Sequence, residues 1–503
     1  MNQPATFVLF VLSLLTYLLS LFVYRLWLSP VAHVPGPVLA KTTYWYEFYW
    51  DVVQTGRYTF HIEELHKQYG PIIRLNPHEV HINDPDFYDE VYVGAASGKK
   101  RNKWAWLVDS FGIPDSTFST VDHDVHRIRR AALNPFFSKA KEFKTTGEPM
   151  LLGLAFTAVS NDIASSYAFD KKDFRVDASD FAPDFHRASG KVAKQSHLMK
   201  QFPWILKLSQ KMPDRWITSM DPDLGAYIGL QRDLQRQTKE IETTYNSRDY
   251  KPRESTSIFH EILASSYLPE SERRHSRLWQ DGQTILIAGT ITTASTFSNL
   301  LFFLLTQSET LRHVRDELSS AIPDEIAPLN LTTLENLPFL TACLMEALRY
   351  SNGVCTRLQR IDPDKPIIFH ARKDSNMTTM LIHRNPLIYK EPMTFNPVHW
   401  LTTDAAGKPI LHHKLDRYFL PFTKGTRACL GINLAWAELY LLTAMMFRPG
   451  GYGSKIDQRE GDKGYLGLFE TTYEKDIEIV GDGTTPIVRE PKVGVRVLVK
   501  ECE

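Results

Sequence analysis

Apolar residues follow helical spacing through most of the first two thirds of this 503-residue chain. The pattern predicts a helix over His61 to Tyr69, then two short alternating runs, Ile72 to Leu75 and Glu79 to Ile82, that form a hairpin. Helical patterns predominate again from Glu148 to Ser308. The last third changes to short strands and turns, with one further helix and a final strand over Gly494 to Lys500. The sequence therefore predicts a mainly α protein with a small β region, of the α+β class.

The first apolar run, Phe7 to Val23, is uncharged and, with the aromatic and aliphatic residues after it, just long enough to cross a thin bilayer. A cleaved signal peptide would have a basic start and a small-residue cleavage site, but here the first basic residue, Arg25, follows the run. The pattern favours an uncleaved anchor with the remaining chain on the cytosolic side. We predict a transmembrane signal anchor over 1–29, a proline-rich hinge over 30–40 and one domain over 41–503.

A second apolar run, Gly282 to Ser308, contains no charged residue and is also long enough to span a membrane. Threonine and serine crowd its middle, and its flanking residues, Asp281 and Glu309, are acidic where a membrane span prefers basic ones. We therefore predict a long core helix whose hydroxyl groups line a cavity.

Charge and cysteine content exclude several classes of function. The chain carries 58 basic and 58 acidic residues, so nothing points to a nucleic acid partner. Its 4 cysteines include no C-x-x-C pair, which argues against a disulfide framework or a zinc site and fits a reducing compartment. No linker, low-complexity tract or internal repeat divides the chain after its first forty residues, so we expect one large domain.

One loop, Phe422 to Gly431, has the composition needed to present a cysteine sulfur to a metal. Gly425 permits a tight turn with positive φ, and Gly431 allows the following helix to approach a flat ligand closely. Arg427 supplies a cation for acidic groups of such a ligand. Cys429 lies at a helix start, where unpaired N–H groups and the helix dipole favour thiolate over thiol. The alternative is a buried structural cysteine in a glycine-rich turn.

The loop resembles the haem-binding signature of the cytochrome P450 superfamily, F-x-x-G-x-R-x-C-x-G, at every fixed position. The segments Tyr69 to Pro77 and Arg129 to Phe137 are similar to fungal microsomal members of the trichodiene-oxygenase type. The resemblance implies the haem-thiolate monooxygenase fold behind a membrane anchor. It also implies haem b bound by the Cys429 thiolate, in a loop to which Phe422 and Gly425 contribute.

The same resemblance implies partners and a location. Such enzymes use O2 and electrons from an NADPH-dependent cytochrome P450 reductase, and they lie on the endoplasmic reticulum membrane with a cytosolic catalytic domain. The implied substrate is a hydrophobic small molecule, a terpenoid or polyketide intermediate of fungal secondary metabolism. Nothing in the sequence fixes which compound it is.

The predicted core helix carries a second family element. Residues 288–293 read A-G-T-I-T-T and are similar to the family pattern A-G-x-(D/E)-T-T at all positions but one. The small pair Ala288-Gly289 would let substrate and dioxygen approach the helix, and Thr292 would turn its hydroxyl away from its own backbone to assist dioxygen activation. Family members place a proton-relaying carboxylate where this chain has Ile291, which carries no proton. A buried hydroxyl-rich helix without a catalytic duty is the alternative.

Glu346 and Arg349 stand three residues apart on a strongly apolar helix, so we predict a buried ion pair whose disruption would strand a charge. In the family that the chain resembles, this E-x-x-R pair packs with an arginine of an F-x-P-x-R-W segment and locks the scaffold of the cysteine loop. Here His399 stands in place of that arginine. A neutral imidazole donates one hydrogen bond and cannot form a bidentate fork, which puts the third member of the network in question.

His126 and Arg130 lie four residues apart on one face of a basic amphipathic helix predicted from Asp124 to about Phe143. Their resemblance to the family element W/H-x-x-x-R implies that they bind the haem propionates together with Arg427. The segment's other basic residues form either a solvated face or a docking surface for an acidic electron-transfer partner, since the chain has no flavin segment. These residues are Arg127, Arg129, Lys139, Lys141 and Lys144.

A further departure lies between Arg360 and Asn385, where the chain lacks the I-P-x-G-T turn that family members place between two strands beside the substrate cavity. Either that sheet is shortened or the sequence records a mis-spliced or decaying gene. With Ile291 and His399, this departure leaves two alternatives to an ordinary monooxygenase. One is a haem-binding protein that has lost turnover, and the other is an enzyme that uses peroxide or rearranges an existing C–O or O–O bond.

Overall fold

The computed structural model describes residues 3–94, 97–131, 150–169, 174–178, 180–246, 257–365, 367, 378–489 and 494–500. Over these residues the protein is mainly helical with small sheets, which confirms the predicted α+β class. The helices are α1 (Gln3–Val23), α2 (Val38–Thr42), α3 (Trp45–Phe48), α4 (Tyr58–Tyr69), α5 (Tyr88–Val91), α6 (His123–Ala131), α7 (Leu152–Phe169), α8 (Asp184–Gln201), α9 (Trp204–Ser209), α10 (Asp214–Met220), α11 (Pro222–Tyr245), α12 (Ile258–Ala264), α13 (His275–Thr306), α14 (Ser308–Ala321), α15 (Leu331–Glu335), α16 (Pro338–Ser351), α17 (Thr379–His383), α18 (Ile432–Phe447) and α19 (Tyr473–Asp476).

The strands are short and mostly paired with close neighbours in sequence. They are β1 (Ile72–Arg74), β2 (Val80–Ile82), β3 (Asn102–Lys103), β4 (Met150–Leu151), β5 (Arg360–Ile361), β6 (Leu401–Thr403), β7 (Pro409–Leu411), β8 (Tyr452–Ser454), β9 (Gly464–Leu468), β10 (Ile479–Gly483), β11 (Thr485–Val488) and β12 (Arg496–Lys500). Antiparallel hairpins join β1 with β2, β6 with β7 and β10 with β11. A four-stranded sheet has the order β4-β12-β9-β8, and β3 pairs with β5 across a long stretch of chain. The predicted hairpin after α4 and the predicted final strand are both present.

Helix α13 is the central element of the core. It packs against α7, α11, α16 and α18, and Phe297 of α13 meets Phe156 of α7 edge to face at 4.4 Å between ring centroids. Within the described residues, two helices are apolar and long enough to cross a membrane. In Thr6–Leu28 none of the most apolar window is buried, and in His275–Thr306 56% of that window is buried. The second is therefore the predicted core helix, because its apolar surface is covered by protein rather than left for lipid.

The proline-rich segment after the apolar N-terminal helix is held against the domain. The fully buried Arg74 guanidinium donates to the carbonyl oxygens of Arg25 and Pro77, each at 2.8 Å, and its backbone N–H donates to Pro35 at 2.8 Å. At Gly36, φ is +149° and a Cβ atom would lie 2.7 Å from the Arg74 carbonyl oxygen, so only glycine fits there. The boundaries predicted for anchor, hinge and domain stay predictions, but the hinge is packed on β1.

Two predictions extend beyond the described residues. The basic helix predicted from Asp124 to about Phe143 is present as α6 up to Ala131, and the part of the prediction after residue 131 lies outside them. Most of the segment that lacks the I-P-x-G-T turn, residues 368–377, also lies outside them.

Candidate functional site

The loop from Phe422 to Gly431 is shaped by backbone hydrogen bonds. The Cys429 N–H donates to the Phe422 carbonyl at 2.8 Å, and the Thr426 N–H donates to the Val93 carbonyl at 3.2 Å. Gly425 has φ of +79°, and a Cβ atom there would lie 2.5 Å from the Val93 carbonyl oxygen. A side chain at Gly425 would therefore clash with backbone, which explains the glycine predicted at this turn.

Cys429 differs from the other described cysteines. Cys343 and Cys355 are fully buried, whereas Cys429 is exposed and lies just before α18, which begins at Ile432. Burial of its sulfur by surrounding protein raises the pKa of the Cys429 thiol, and the Gly431 N–H and the Arg130 guanidinium only partly oppose this. The helix-start N–H group acts in the expected direction, toward the thiolate, but desolvation outweighs it together with Arg130. A metal at the sulfur would be needed to remove the proton.

Five basic side chains gather beside this loop. Burial and the neighbouring cations Arg427, Lys103 and Arg130 lower the pKa of His126 to about 2. Burial together with Arg360 and Arg427 holds the pKa of Lys103 well below its ordinary value. Like charges brought together in a protein interior repel one another and lower the pKa of each basic group, and a bound anion would relieve that repulsion. The group of Lys103, His126, Arg130, Arg360 and Arg427, called the cation cluster below, therefore has the chemistry of a site for an acidic ligand.

The predicted cations Arg427 and Arg130 also order the backbone. Arg427 donates to the carbonyl oxygens of Thr120 at 2.6 Å and Val121 at 2.7 Å, with further bonds to Arg101 and Asp122. Arg130 donates to the carbonyl oxygens of Ala428 and Cys429. Arg427 thus commits most of its N–H groups to the loop before α6, and Arg130 fixes the chain on both sides of the cysteine peptide. His126 lies close to Arg130 and Arg427, and Arg130 contacts Cys429; their binding of propionates stays a prediction.

Two members of the cation cluster were missed in the sequence. Lys103 of β3 and Arg360 of β5 are directly opposite each other in the antiparallel pair. Like charges directly opposite on neighbouring strands destabilise a sheet, so this pairing also points to an anion between or above them. The strands are only two residues long and distant in sequence, and neither shows an alternating pattern that would have revealed them.

The segment of α13 that is predicted to face substrate and dioxygen is exposed to solvent where its side chains are small. Ala288 is exposed although it lies within the central helix. The expectation that the Thr292 hydroxyl turns away from its own backbone is wrong in this structure, because it donates to the Ala288 carbonyl oxygen at 2.8 Å. Its oxygen lone pairs remain available as acceptors. Its methyl side faces Gly353, where a Cβ atom would lie 3.4 Å from Thr292 Cβ. Ile291 packs with an apolar cluster that includes Ile113 and Phe185.

The buried pair on α16 is present and fully engaged. Arg349 forms two bonds to the Glu346 carboxylate, Nε to Oε2 at 2.8 Å and Nη2 to Oε1 at 2.7 Å, and donates to the carbonyl oxygens of His383 and Pro392. Glu346 further accepts from the backbone N–H of Asn396 at 2.9 Å, from Trp400 Nε1 at 3.0 Å and from His399 Nδ1 at 3.2 Å. Thus His399 does occupy the third place in the network.

The proposed docking face is smaller than the sequence suggested. Arg127 is exposed, but Arg129 is buried and ion-paired to Glu272, so Arg129 does not belong to an open surface. The sequence did not reveal the burial of Arg129, because its neighbours on α6 are exposed and its acidic partner comes from a distant segment. Lys139, Lys141 and Lys144 lie outside the described residues.

Comparison with known proteins identifies the family to which a chain with this site belongs. The Cytochrome P450 family model matches residues 183–449, which include the E-x-x-R helix and the cysteine loop. The chain belongs to the cytochrome P450 family. It is similar to the cytochrome P450 monooxygenase tpcC of Cochliobolus heterostrophus, with 42% identity over 99% of this chain and 98% of that protein.

Two further relatives have names that state a reaction. The tryptophan 6-hydroxylase fscE of Fusarium equiseti is 37% identical over 96% of this chain and 94% of its own length. The N-acetyltryptophan 6-hydroxylase ivoC of Emericella nidulans is 34% identical over 99% of this chain and 98% of its own length. This P450 is therefore a monooxygenase that acts on small molecules, and haem b with an axial cysteine thiolate is its cofactor. The residues fit that group, since an accessible thiol lies beside a cation cluster suited to two propionates.

Proposed function

We propose that Cys429 is the axial ligand and that the cation cluster binds the haem propionates. The acidic groups of the haem would face Lys103, His126, Arg130 and Arg360. Arg427 would mainly hold the loop before α6, to which it donates its hydrogen bonds. When bound, a thiolate-ligated haem activates dioxygen, so that one oxygen atom enters an organic substrate. The observation that carries this proposal is the exposed Cys429 in a glycine-braced loop beside five basic groups. Phe422 and Gly425 support it by fixing the loop.

On the helix side, Thr292 is the proposed catalytic residue. Its hydroxyl hydrogen is held by the Ala288 carbonyl, so the oxygen lone pairs remain free to accept a hydrogen bond from a water or a protonated reactant. Because Ile291 supplies no proton, we infer that protons arrive through water at the Thr292 hydroxyl. The neighbouring side chains of Ile287, Ile291 and Phe111 are apolar and would contact a hydrophobic substrate.

The substrate proposed from the sequence is a terpenoid or polyketide intermediate of secondary metabolism. Two relatives are named for hydroxylating tryptophan or N-acetyltryptophan, so a compound with an aromatic ring is the second candidate. The apolar wall beside Thr292 accepts either kind of compound. Turnover of matched terpenoid, polyketide and indole substrates by the same preparation would separate these classes.

We infer that electrons come from an NADPH-dependent cytochrome P450 reductase and that the protein is a single-pass protein of the endoplasmic reticulum membrane. The apolar helix at the N-terminus supports the anchor. Indole side chains of the domain are also exposed: Trp45 by 64%, Trp204 by 60% and Trp216 by 55%. Amphipathic indole rings favour the membrane–water interface, so these positions suit a domain resting on a bilayer.

The first test is the absorbance spectrum of the reduced carbon monoxide complex. Wild type should show the red-shifted band of thiolate ligation, and Cys429→Ala should lose it together with all oxygenase activity. Cys355→Ala removes a buried thiol of the same chain and serves as the matched control, with an unchanged band. Product formation should then require both NADPH and the reductase. A wild-type protein without the band would contradict the site assignment, and a band without turnover would support the rival haem-binding protein.

The second test concerns the membrane anchor. Deleting residues 1–23 should release the protein from microsomes and leave haem incorporation intact, since the Arg25 carbonyl that accepts from Arg74 is kept. Deleting residues 1–29 should also release it, with a lower unfolding temperature because that acceptor is lost. Secretion or glycosylation of the shortened chains would contradict the cytosolic orientation.

A further inference from the structure

The carbonyl group of Phe111, at the end of the short 3-10 helix Ala105–Phe111, receives one end of a chain of side-chain hydrogen bonds. The Tyr227 hydroxyl donates to the Phe111 carbonyl oxygen at 3.0 Å and accepts from Gln283 Nε2 at 2.7 Å. Gln231 Nε2 donates to Gln283 Oε1 at 2.8 Å. Gln231 Oε1 in turn accepts from Gln210 Nε2 at 2.9 Å. The chain thus connects the segment after α9 with α11, α13 and the end of the 3-10 helix.

The other end of the chain returns to the next residue, Gly112. Gln210 Nε2 also donates to the Gly112 carbonyl oxygen, at 3.4 Å. At Gly112, φ is +64° and a Cβ atom would lie 2.6 Å from Leu206 Cδ2, so only glycine fits this turn. The neighbouring carbonyl groups of Phe111 and Gly112 are therefore held together by one closed set of hydrogen bonds. Its side chains, called the glutamine clamp below, are Gln210, Gln231, Gln283 and Tyr227.

The Phe111 carbonyl sets the direction of the hydrogen bonds in the glutamine clamp. A carbonyl oxygen only accepts, so Tyr227 must donate to it, and burial holds the pKa of Tyr227 above its ordinary value so that the proton is kept. The Tyr227 oxygen then accepts from Gln283, and Gln283 accepts from Gln231. These three side chains are at most 2% exposed, so water has little access to replace a lost bond. Removing the Tyr227 hydroxyl would therefore free the Phe111 carbonyl.

The Phe111 side chain lies between the two parts of the proposed haem site. It is half-buried and packs against the apolar cluster that also contacts Ile291, the neighbour of Thr292. It also meets Phe118 edge to face, at 6.0 Å between ring centroids. The Lys103 ammonium of the cation cluster lies 3.7 Å from the centroid of Phe118. Phe111 is thus connected on one side with the proposed propionate site and on the other with the proposed catalytic threonine.

We propose that the glutamine clamp holds the Phe111 side chain at the reaction cavity and so limits the size of the ligands that enter it. The inference rests on the proposed haem site at Cys429. A bulky ligand fits only if Phe111 moves aside, which takes its carbonyl away from the Tyr227 hydroxyl, whereas a small ligand needs no such movement. The hydrogen bond therefore adds to the cost of binding a large ligand alone. Tyr227 and Gln283 are positioning residues, since they act through Phe111.

The test uses two azoles that bind haem iron, imidazole and the larger 4-phenylimidazole, and measures both dissociation constants on full-length holoprotein by optical difference spectra. In Tyr227→Phe, the dissociation constant of 4-phenylimidazole relative to that of imidazole should fall about fivefold, the effect of one hydrogen bond. Phe111→Ala should lower this ratio at least as far, because it removes the obstacle itself. Tyr58→Phe is the matched control and should keep the wild-type ratio. Tyr58 is as buried as Tyr227, and its hydroxyl donates to the Leu75 carbonyl at 2.5 Å.

The unfolding temperature separates positioning from stability. Tyr227→Phe and Tyr58→Phe each lose one buried hydrogen bond, so both should unfold at lower temperature, but only Tyr227→Phe should change the ratio of dissociation constants. An unchanged ratio in Tyr227→Phe overturns the proposal. If that variant fails to fold, Gln283→Met breaks the adjacent bond of the clamp, and an unchanged ratio there overturns it equally.

The reduced carbon monoxide spectrum separates this failure from that of the haem site. Wild type lacking the thiolate band contradicts the proposed function, and the inference falls with it. A normal band with the same azole ratio in wild type and Tyr227→Phe contradicts only the role of the glutamine clamp.

Discussion

Two glutamates, Glu346 on α16 and Glu438 on α18, are both buried, yet their surroundings differ completely. Glu346 receives two bonds from Arg349 and three more from Asn396, His399 and Trp400, and its pKa falls to about 2. Burial raises the pKa of Glu438 to about 8, and only the Ser160 hydroxyl, donating at 2.7 Å, opposes this. Among the described residues, Glu438 Oε1 has no hydrogen-bond partner.

The difference shows that burial alone does not decide the charge of these two carboxyl groups; the hydrogen-bond donors and the Arg349 cation beside Glu346 do. Five hydrogen bonds keep Glu346 ionised in a space from which water is excluded, while one bond leaves Glu438 protonated at neutral pH. The first carboxylate organises the segments that support the haem loop. The second carries no charge and could be replaced by another neutral side chain.

The largest effect is expected from Arg349→Ala, which leaves the Glu346 carboxylate buried without its cation. Breaking a buried pair in this way costs about 3–5 kcal/mol. Arg312→Ala is the matched control, because Arg312 and Glu309 form a pair of the same spacing that is 46% and 72% exposed and whose loss costs under about 1 kcal/mol. Urea unfolding followed by far-ultraviolet circular dichroism measures both. Equal losses in the two variants would show that burial of the first pair is not what matters.

Glu438→Gln should stabilise the protein by an amount that grows with pH. The folded state holds the Glu438 proton up to about pH 8, whereas the unfolded chain releases it near the ordinary value of 4.5. Stability from this group is therefore fully present below pH 4.5 and declines as pH rises toward 8. Glutamine removes the decline, so we expect no gain near pH 4 and on the order of 4 kcal/mol near pH 8.

Glu346→Gln tests a carboxyl group whose pKa is shifted in the opposite direction, and the same unfolding measurement applies. The pKa of Glu346 is depressed to about 2, so its stabilising contribution is present above 4.5 and disappears as pH falls toward 2. The variant should therefore be less stable than wild type at neutral pH, and the difference should shrink in acid. Stabilisation by both substitutions at neutral pH would contradict the comparison.

A smaller effect is expected from Ile291→Glu, which places a third glutamate in apolar surroundings. Its neighbours in the cluster with Ile113 and Phe185 offer few donors, so the new carboxyl should stay protonated like Glu438 and could pass a proton to Thr292. In an ordinary monooxygenase, product formed per NADPH should rise by up to about tenfold and peroxide release should fall. Ile291→Gln, which is polar but does not titrate, is the control.

Other outcomes of that experiment are also informative. If the enzyme uses peroxide or rearranges an existing bond, the glutamate adds only a desolvation cost and a clash, and turnover should fall. Equal coupling in wild type and Ile291→Glu would show that Ile291 does not limit proton delivery. His399 would then be the next residue to examine.

Local sequence patterns predicted much of this molecule. The hairpin after α4, the core helix α13, the buried Glu346–Arg349 pair and the loop around Cys429 all follow from spacing, glycine chemistry and apolar periodicity, which act over a few residues. A resemblance carried by the same loop gave the family. The exposure of Arg129 was wrongly inferred, since its burial depends on Glu272, which a distant segment contributes.

The sequence by itself determined which residues are proposed to carry the chemistry: one cysteine in a glycine-braced loop, a threonine in a helix of small residues and an E-x-x-R pair. Only the tertiary structure decided the surroundings, and so the charge states, of the ionisable groups near these residues. It paired Lys103 with Arg360 across two two-residue strands, and it set His399 between two acceptors. The physical reason is that helical and turn preferences are short-range, whereas desolvation and hydrogen-bond supply depend on what folding brings together from the whole chain.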